Sequence, residues 1–88
     1  MSAAKGAFRV EVRVMPRGTL LDPQGLAVEH ALHALGFRDA GNVRVGKHLV
    51  LDVQAGSKDE ALARARTMCD RLLANPVTED YQLAVEVP

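Results

Sequence analysis

The sequence is poor in residues that several classes of functional site require. It has one cysteine, Cys69, and only three aromatic residues, none of them Trp. One cysteine cannot form an intrachain disulfide or a structural zinc site, and so few aromatics offer no platform for stacking bases. Eleven basic residues balance eleven acidic ones, so no net field attracts nucleic acid or an anionic membrane.

The sequence also shows no pattern typical of a signal peptide or of a membrane-spanning segment. Residues Met1 to Gly6 contain no apolar signal-peptide core, and no uncharged apolar run approaches the length of a membrane span. We therefore expect a cytoplasmic protein with no nucleic-acid or membrane partner.

The 88 residues, 48% hydrophobic and 25% charged, predict one globular domain over 1–88, with residues 1–6 frayed. A chain of this size buries only about 60–65% of its surface on folding. Its stability should be roughly 4–13 kcal/mol, so burial against a partner would matter.

Alternation of apolar and polar residues predicts strands at both ends of the chain. The first runs from Phe8 to near Pro16, and the last places Tyr81, Leu83, Val85 and Val87 inward. Residues 43–54 form a second β region. A tight hairpin at Gly46-Lys47 would put Asp52 on the core face, which favours a bent or bulged continuous strand, or a three-residue turn.

The stretch LLDPQG begins the first predicted helix, over 23–35. Asp22 is a preferred N-cap, Pro23 suits the first helical position, and Leu21 and Leu26 are spaced as a hydrophobic staple. An apolar stripe follows, and Gly36 with Phe37 predicts a Schellman ending on Leu32. The stripe consists of Val28, Ala31, Leu32 and Leu35. Helix propensity leaves Gln24 and Gly25 unexplained, since glycine in a helix costs up to about 1 kcal/mol relative to alanine.

A second helix begins at the capping box Ser57-Lys58-Asp59-Glu60 and ends at Asn75-Pro76. These elements predict an α+β class: a two-layer α/β sandwich in a ferredoxin-like arrangement, with a three- or four-stranded sheet and two helices on one face. Such a small sheet has exposed edges, which predict a homo-oligomer, a dimer or a tetramer.

No constellation in the sequence predicts catalysis. His30 and His33 share a helix face, but two histidines without a further ligand make a poor metal site. Cys69 lies in an apolar stripe, which favours a buried structural thiol over a nucleophile. We therefore predict no catalytic, cofactor or metal site in this chain, and a function exerted by binding.

Three stretches, in this order and spacing, form a specific pattern. They are Leu21-Asp22-Pro23-Gln24-Gly25 with the following 27–32; Val43-Arg44-Val45-Gly46-Lys47; and Leu72-Leu73-Ala74-Asn75-Pro76-Val77 with Glu79-Asp80-Tyr81. Together they resemble the PurS family, the small subunits of phosphoribosylformylglycinamidine (FGAM) synthase, over about residues 8–87. The loop at residues 15–19 is slightly longer than the usual family pattern.

The resemblance implies a non-catalytic role in purine biosynthesis. Such a subunit bridges an ATP-dependent synthetase subunit, PurL, and a glutaminase subunit, PurQ, and supports the transfer of ammonia between them. ATP and Mg²⁺ would be used by the complex, with no cofactor held by this chain. The residues expected at the partner interface are Asp22, Gln24, Gly25, Arg44, Lys47, Asn75 and Tyr81.

Two alternatives stay open at the level of sequence. An ACT-like module that senses amino acids shares the ferredoxin-like pattern, and calorimetry against amino acids would detect it. A small hydrolase of the acylphosphatase type is the second alternative, and an assay on acyl phosphate would detect that.

Overall fold

The computed structural model describes residues 6–18 and 22–86, which hold three strands and two helices. This confirms the predicted α+β class with a three-stranded antiparallel sheet and two helices. The predicted frayed residues up to 5, the staple at Leu21 and the inward Val87 lie outside the described residues. In chain order the elements are β1 (Gly6–Pro16), α1 (Pro23–Ala34), β2 (Lys47–Ala55), α2 (Lys58–Met68), a π-helical turn (Cys69–Leu73) and β3 (Glu79–Glu86).

The strands lie in the order β2-β1-β3, and both outer strands run antiparallel to β1. The register places Val12 opposite Leu49 on one side and Leu83 on the other. The second β region contains no hairpin, but the predicted continuous strand over 43–54 is wrong in its first part. Residues 43–46 lie outside the sheet, and β2 pairs with β1 in an unbroken register from Lys47 to Ala55. Asp52 pairs with Arg9 and is exposed, so no carboxylate enters the core.

This topology determines which helix must cover the sheet. Because β2 is the antiparallel neighbour of β1, it begins at the end of the sheet where β1 stops, and the connection through α1 need not cross the sheet. Strands β2 and β3 are both antiparallel to β1 and therefore parallel to each other. The connection between them must return along the sheet, and α2 makes that crossing.

The core lies between α2 and the sheet, and it is built from small side chains. Val10, Val12, Val14 and Cys69 are the largest side chains that are fully buried. Each fully buried valine contributes about 1.5–3 kcal/mol. The buried hydrophobic residues of the described ranges are Val10, Val12, Val14, Val53, Ala55, Ala61, Ala65, Cys69 and Ala74.

The helix α1 extends from the end of the sheet instead of lying on its face. It makes at most isolated contacts with the strands and with α2, and Val28 and Leu35 of its stripe are 41% and 75% exposed. The radius of gyration is 17.3 Å, against about 12 Å for a compact chain of this length. A strand of 11 residues spans about 36 Å, and a helix of 12 residues about 18 Å; together they nearly fill the long dimension of 60 Å.

The helix ends follow the predicted chemistry closely. Gly36 adopts a φ of 101°, and the Phe37 amide donates to the Leu32 carbonyl at 2.9 Å, as a Schellman ending requires. Ser57 Oγ accepts from the Glu60 amide at 3.1 Å, which confirms the cap of α2. Within residues 6–18 and 22–86, neither helix is long and apolar enough to cross a membrane.

Candidate functional site

The end of the sheet where β1 stops, and where β2 and β3 begin, is here named the junction end. Val14 of β1 pairs there with Lys47 of β2 and with Tyr81 of β3. The chain enters α1 from this end and returns to it through residues 40–46, a segment outside helix and strand that we name the strap. The residues predicted at a partner interface all belong to segments that meet at the junction end: Asp22, Gln24, Gly25, Arg44, Lys47, Asn75 and Tyr81.

Asp22 joins the start of α1 to the strap with one carboxylate. Oδ1 accepts from the Gly25 amide at 2.9 Å, as an N-cap does. Oδ2 accepts from the Val45 amide, also at 2.9 Å. These two backbone N–H groups, Gly25 first, hold the pKa of Asp22 below its usual value, and Arg44 acts in the same direction. The carboxylate that caps α1 therefore also holds a backbone amide that lies 23 positions further along the chain.

Arg44 fastens the strap to the end of β1. Its guanidinium donates to the carbonyls of Arg17 at 2.7 Å, Gly18 at 3.1 Å and Pro16 at 3.4 Å. Its Nε lies 3.5 Å from Asp22 Oδ2, and the two side chains are only 26% and 11% exposed. A planar group with five donors suits such a cluster of acceptors. Arg44 is thus a structural residue of the junction end in addition to a predicted interface residue.

Gly25 has an explanation within the chain. It is buried, and a side-chain carbon at this position would collide with the Val43 carbonyl oxygen and press on the carboxylate of Asp22. The family resemblance places Gly25 at a partner interface, but the close approach of backbone at this glycine is made by the strap. Gln24, beside it, is exposed in the first turn of α1.

Two further side chains of α1 hold the strap along the helix. Glu29 accepts from the Val43 amide at 3.2 Å, and His33 Nε2 lies 2.7 Å from the Ala40 carbonyl, to which it donates when that nitrogen carries the proton. We name α1 and the strap together the arm. Among the described residues, no group of three or more His, Cys, Asp or Glu could hold a metal ion, and His33 serves the strap.

Lys47 and Tyr81 lie on opposite outer strands of the junction end. Lys47 is exposed. The Tyr81 hydroxyl donates to Asp70 Oδ1 at 3.0 Å, and burial, followed by this bond, raises the pKa of Tyr81. An open groove of about 410 Å³ borders both residues and extends to Met15, His48 and Gln82. It gives the junction end a concave surface.

Asn75 shapes the turn before β3. Its side-chain Oδ1 accepts from the backbone amide of Val77 at 2.9 Å, and its backbone amide donates to Glu79 Oε1 at 2.7 Å. Arg17 ties this turn to the end of β1, because its guanidinium donates to the Pro76 carbonyl at 2.7 Å. Asn75 is exposed and lies apart from the bonds around Asp22.

Cys69 begins the π-helical turn and is fully buried. Burial, and then the neighbouring Asp70, raises the pKa of its thiol. The thiol therefore stays protonated and unreactive, as expected from its place in an apolar stripe.

The structure adds residues that sequence reasoning missed. Arg17 and Glu29 each bond to backbone far along the chain, and no local pattern indicates such bonds. Gly25, which is unfavourable in the first turn of a helix, was the one indication in the sequence, because glycine there allows the backbone of the strap to approach closely.

Comparisons with known proteins agree with this structure. A family model of PurS, described as phosphoribosylformylglycinamidine (FGAM) synthase, matches residues 9–87. The PurS subunit of that synthase from Bacillus subtilis is 40% identical over 79 residues, which cover 90% of this chain and 93% of the relative. The PurS subunit from Mycobacterium leprae is 40% identical over 78 residues, covering 89% of this chain and 95% of the relative.

Solved structures show the same fold. Bacillus subtilis PurS matches with a TM-score of 0.82 at 40% identity, covering 91% of this chain and 99% of that one. A chain in the structure of PurLQS from Thermotoga maritima matches with a TM-score of 0.85 at 30% identity, covering 92% of this chain and 99% of that one. On these matches the chain belongs to the PurS family and is a subunit of FGAM synthase in purine biosynthesis.

Proposed function

We propose that this chain is the non-catalytic bridging subunit of FGAM synthase, joining a glutaminase subunit (PurQ) to an ATP-dependent synthetase subunit (PurL). The observation that carries the proposal is its likeness to a chain in the Thermotoga maritima PurLQS structure. In this proposal the chain acts in the cytoplasm as a homo-oligomer. ATP and Mg²⁺ are held by the larger subunits, and this chain holds no cofactor.

The chemistry of ammonia gives the bridge a purpose. Ammonia released from glutamine is mostly protonated in neutral water, and the ammonium ion has no lone pair with which to attack. A subunit that fixes the glutaminase against the synthetase shortens the route and keeps water out of it. The junction end suits this role, because it combines the exposed residues Gln24, Lys47 and Asn75 with a concave groove and rigid backbone ties.

The direct test omits this chain from the reconstituted synthase. FGAM formation from glutamine should be lost, whereas formation from added ammonium salts should persist, because only the transfer step needs the bridge. Co-purification of the chain with both larger subunits, with and without glutamine and Mg-nucleotide, provides the binding readout. Full glutamine-dependent activity without this chain would overturn the proposal.

A matched pair of charge reversals locates the surface. Lys47→Glu changes an exposed lysine at the junction end, and Lys58→Glu changes an exposed lysine at the start of α2, at the opposite end of the sheet. We expect Lys47→Glu to reduce capture of the larger subunits about tenfold or more, with Lys58→Glu unchanged. Equal capture by the two variants would remove the junction end from the proposal.

A further inference from the structure

The groove at the junction end lies on the face of the sheet that α2 does not cover. Val12 and Val14 of β1 are fully buried in the core shared with α2, so the alternation of side chains along the strand turns Arg13 and Met15 to the opposite face. Both residues line the groove of about 410 Å³, and Met15 is 41% exposed. The groove therefore crosses the open face of the sheet and contains an apolar side chain of the central strand.

Two side chains of opposite charge stand diagonally across this groove. Arg13 of β1 pairs with Gln82 of β3, and Met15 pairs with Asp80. Arg13 and Asp80 are therefore diagonal neighbours on one face, about 7–8 Å apart, and both line the groove. Within residues 6–18 and 22–86, Arg13 forms no hydrogen bond or ion pair, with Asp80 or with any other residue. Its guanidinium is thus available to a ligand.

Asp80 and Gln82 also keep polar atoms available. Arg17 Nε lies 3.3 Å from Asp80 Oδ1, and the two side chains are 44% and 73% exposed, so this ion pair is weak. A carboxylate accepts at both oxygens, and no contact among the described residues engages Asp80 Oδ2. The amide of Gln82, which offers a donor and an acceptor, likewise has no partner in the described ranges.

We propose that this groove binds a free α-amino acid as its zwitterion. Arg13 binds the α-carboxylate, for which a guanidinium offers two parallel donors, and Asp80 binds the α-ammonium group. The side chain of the ligand then lies against Met15 and reaches the amide of Gln82. The volume of the groove falls in the range of about 300–1,000 Å³ that is usual for small-molecule sites.

The arrangement of charges favours a zwitterion over a simple ion. A phosphate would be attracted by Arg13 but repelled by Asp80 and by Glu11, which lies two positions before Arg13 on the same face. A simple cation would be repelled by Arg13. The net charge of the chain is zero, so no overall field concentrates either kind of ion. A ligand that carries both charges is attracted at both ends.

Glutamine is the amino acid that we expect to bind. Its side-chain amide can exchange two hydrogen bonds with the amide of Gln82. The choice of glutamine also rests on the proposed function, because the glutaminase subunit consumes it, whereas the class of ligand rests on the groove alone. A bridging chain with this site would respond to the substrate of its partner.

An NMR titration of the ¹⁵N-labelled full chain with L-glutamine is the first test. The backbone amides of residues 13, 15, 80 and 82 should shift together with a dissociation constant of about 1 mM or less, and those of residues 7–9, at the opposite end of the sheet, should not. Inorganic phosphate is the comparison ligand. No shift at a glutamine concentration about tenfold above that value, or equal shifts with phosphate, would overturn the inference.

Substitutions on the open face test the two charged contacts. Arg13→Gln should weaken glutamine binding about tenfold or more. Arg9→Gln is the matched control, because Arg9 is exposed on the same face of β1 at the far end of the sheet, opposite Asp52 and Glu86, and it should leave binding unchanged. Equal binding by the two variants would contradict the site.

An analogue of glutamine without its amino group, the monoamide of glutaric acid, tests the other contact. It should bind the unmodified chain about tenfold more weakly than glutamine does. This difference should vanish in Asp80→Asn, because the partner of the ammonium group is gone. A difference that persists in Asp80→Asn would overturn the assignment of a zwitterion.

The inference and the proposed function fail separately. A chain that captures both larger subunits but does not bind glutamine by itself would disprove the amino-acid site alone. A chain that binds glutamine in the groove and captures neither larger subunit would disprove the bridging function alone.

Discussion

The two halves of the molecule are held together by different kinds of contact. The sheet and α2 share an apolar core in which Val10, Val12 and Val14 have no exposed surface. The arm has almost no apolar core of its own, and polar bonds from Asp22, Arg44 and other side chains to backbone amides and carbonyls fix it. The apolar contacts between the sheet and α2 are non-directional. The hydrogen bonds that hold the arm depend on angle, so they also fix its orientation.

The difference follows from strand pairing. A connection between antiparallel neighbours can leave the sheet, and a connection between parallel strands cannot. The same sequence device, an amphipathic helix with a capped start, therefore contributes to the core in α2 and projects from the sheet in α1. Three predictions test this contrast, from the largest expected effect to the smallest.

A charge in the core should unfold the sheet and α2, which we name together the body. Val12→Lys places an ammonium group among fully buried side chains and should cost at least about 4 kcal/mol, comparable with the whole stability of roughly 4–13 kcal/mol. Chemical denaturation followed by circular dichroism measures the loss. The control is Val50→Lys on the open face, 56% exposed and opposite Glu11, which should change the unfolding free energy by less than about 0.5 kcal/mol.

Crowding the start of α1 should loosen the arm and leave the body folded. In Gly25→Ala the new methyl group meets the Val43 carbonyl and the Asp22 carboxylate, at a cost of about 1–3 kcal/mol. Amide protons of α1 should then exchange with solvent roughly 5- to 150-fold faster, as NMR can measure.

Gly41→Ala is the matched control, because a side-chain carbon there meets nothing within 4 Å. It should leave exchange in α1 unchanged. Equal effects of the two substitutions would show that chain flexibility, and not the close approach of the strap, accounts for Gly25.

Acidification should release the arm from the strap at a pH set by Asp22. Its pKa is lowered in the folded chain, so its contribution is complete above the unfolded value of about 3.9 and is lost as the pH falls through the lower folded value. The amide resonances of Gly25 and Val45 should titrate together below about pH 3.9. In Asp22→Asn this joint titration should vanish; separate midpoints in the unmodified chain would contradict the shared carboxylate.

Local chemistry made much of this fold predictable. The caps at Asp22 and Ser57, the turn at Gly36 and the alternation of β1 each depend on neighbours within a few positions, and all were found as expected. The place of α1 was not predictable in the same way. The apolar stripe of α1 predicts that one face of the helix is buried. The pairing of the strands determines which surface that face can reach, and no local sequence pattern predicts the pairing.

The candidate site shows the same limit. Motif resemblance selected residues that lie in segments meeting at the junction end, yet it could not separate those that bond within the chain from those that stay exposed. Asp22 and Gly25 are used internally, whereas Gln24 and Lys47 remain exposed. The distinction depends on the path of the strap, which brings Val45 to Asp22 across 23 positions.

The complete enclosure of Cys69, the only thiol in the sequence, has a practical consequence. A maleimide dye or spin label should react at an introduced surface cysteine and leave the native one untouched. Distances within this chain are therefore measurable between pairs of introduced surface cysteines, with the native thiol of the core still in place.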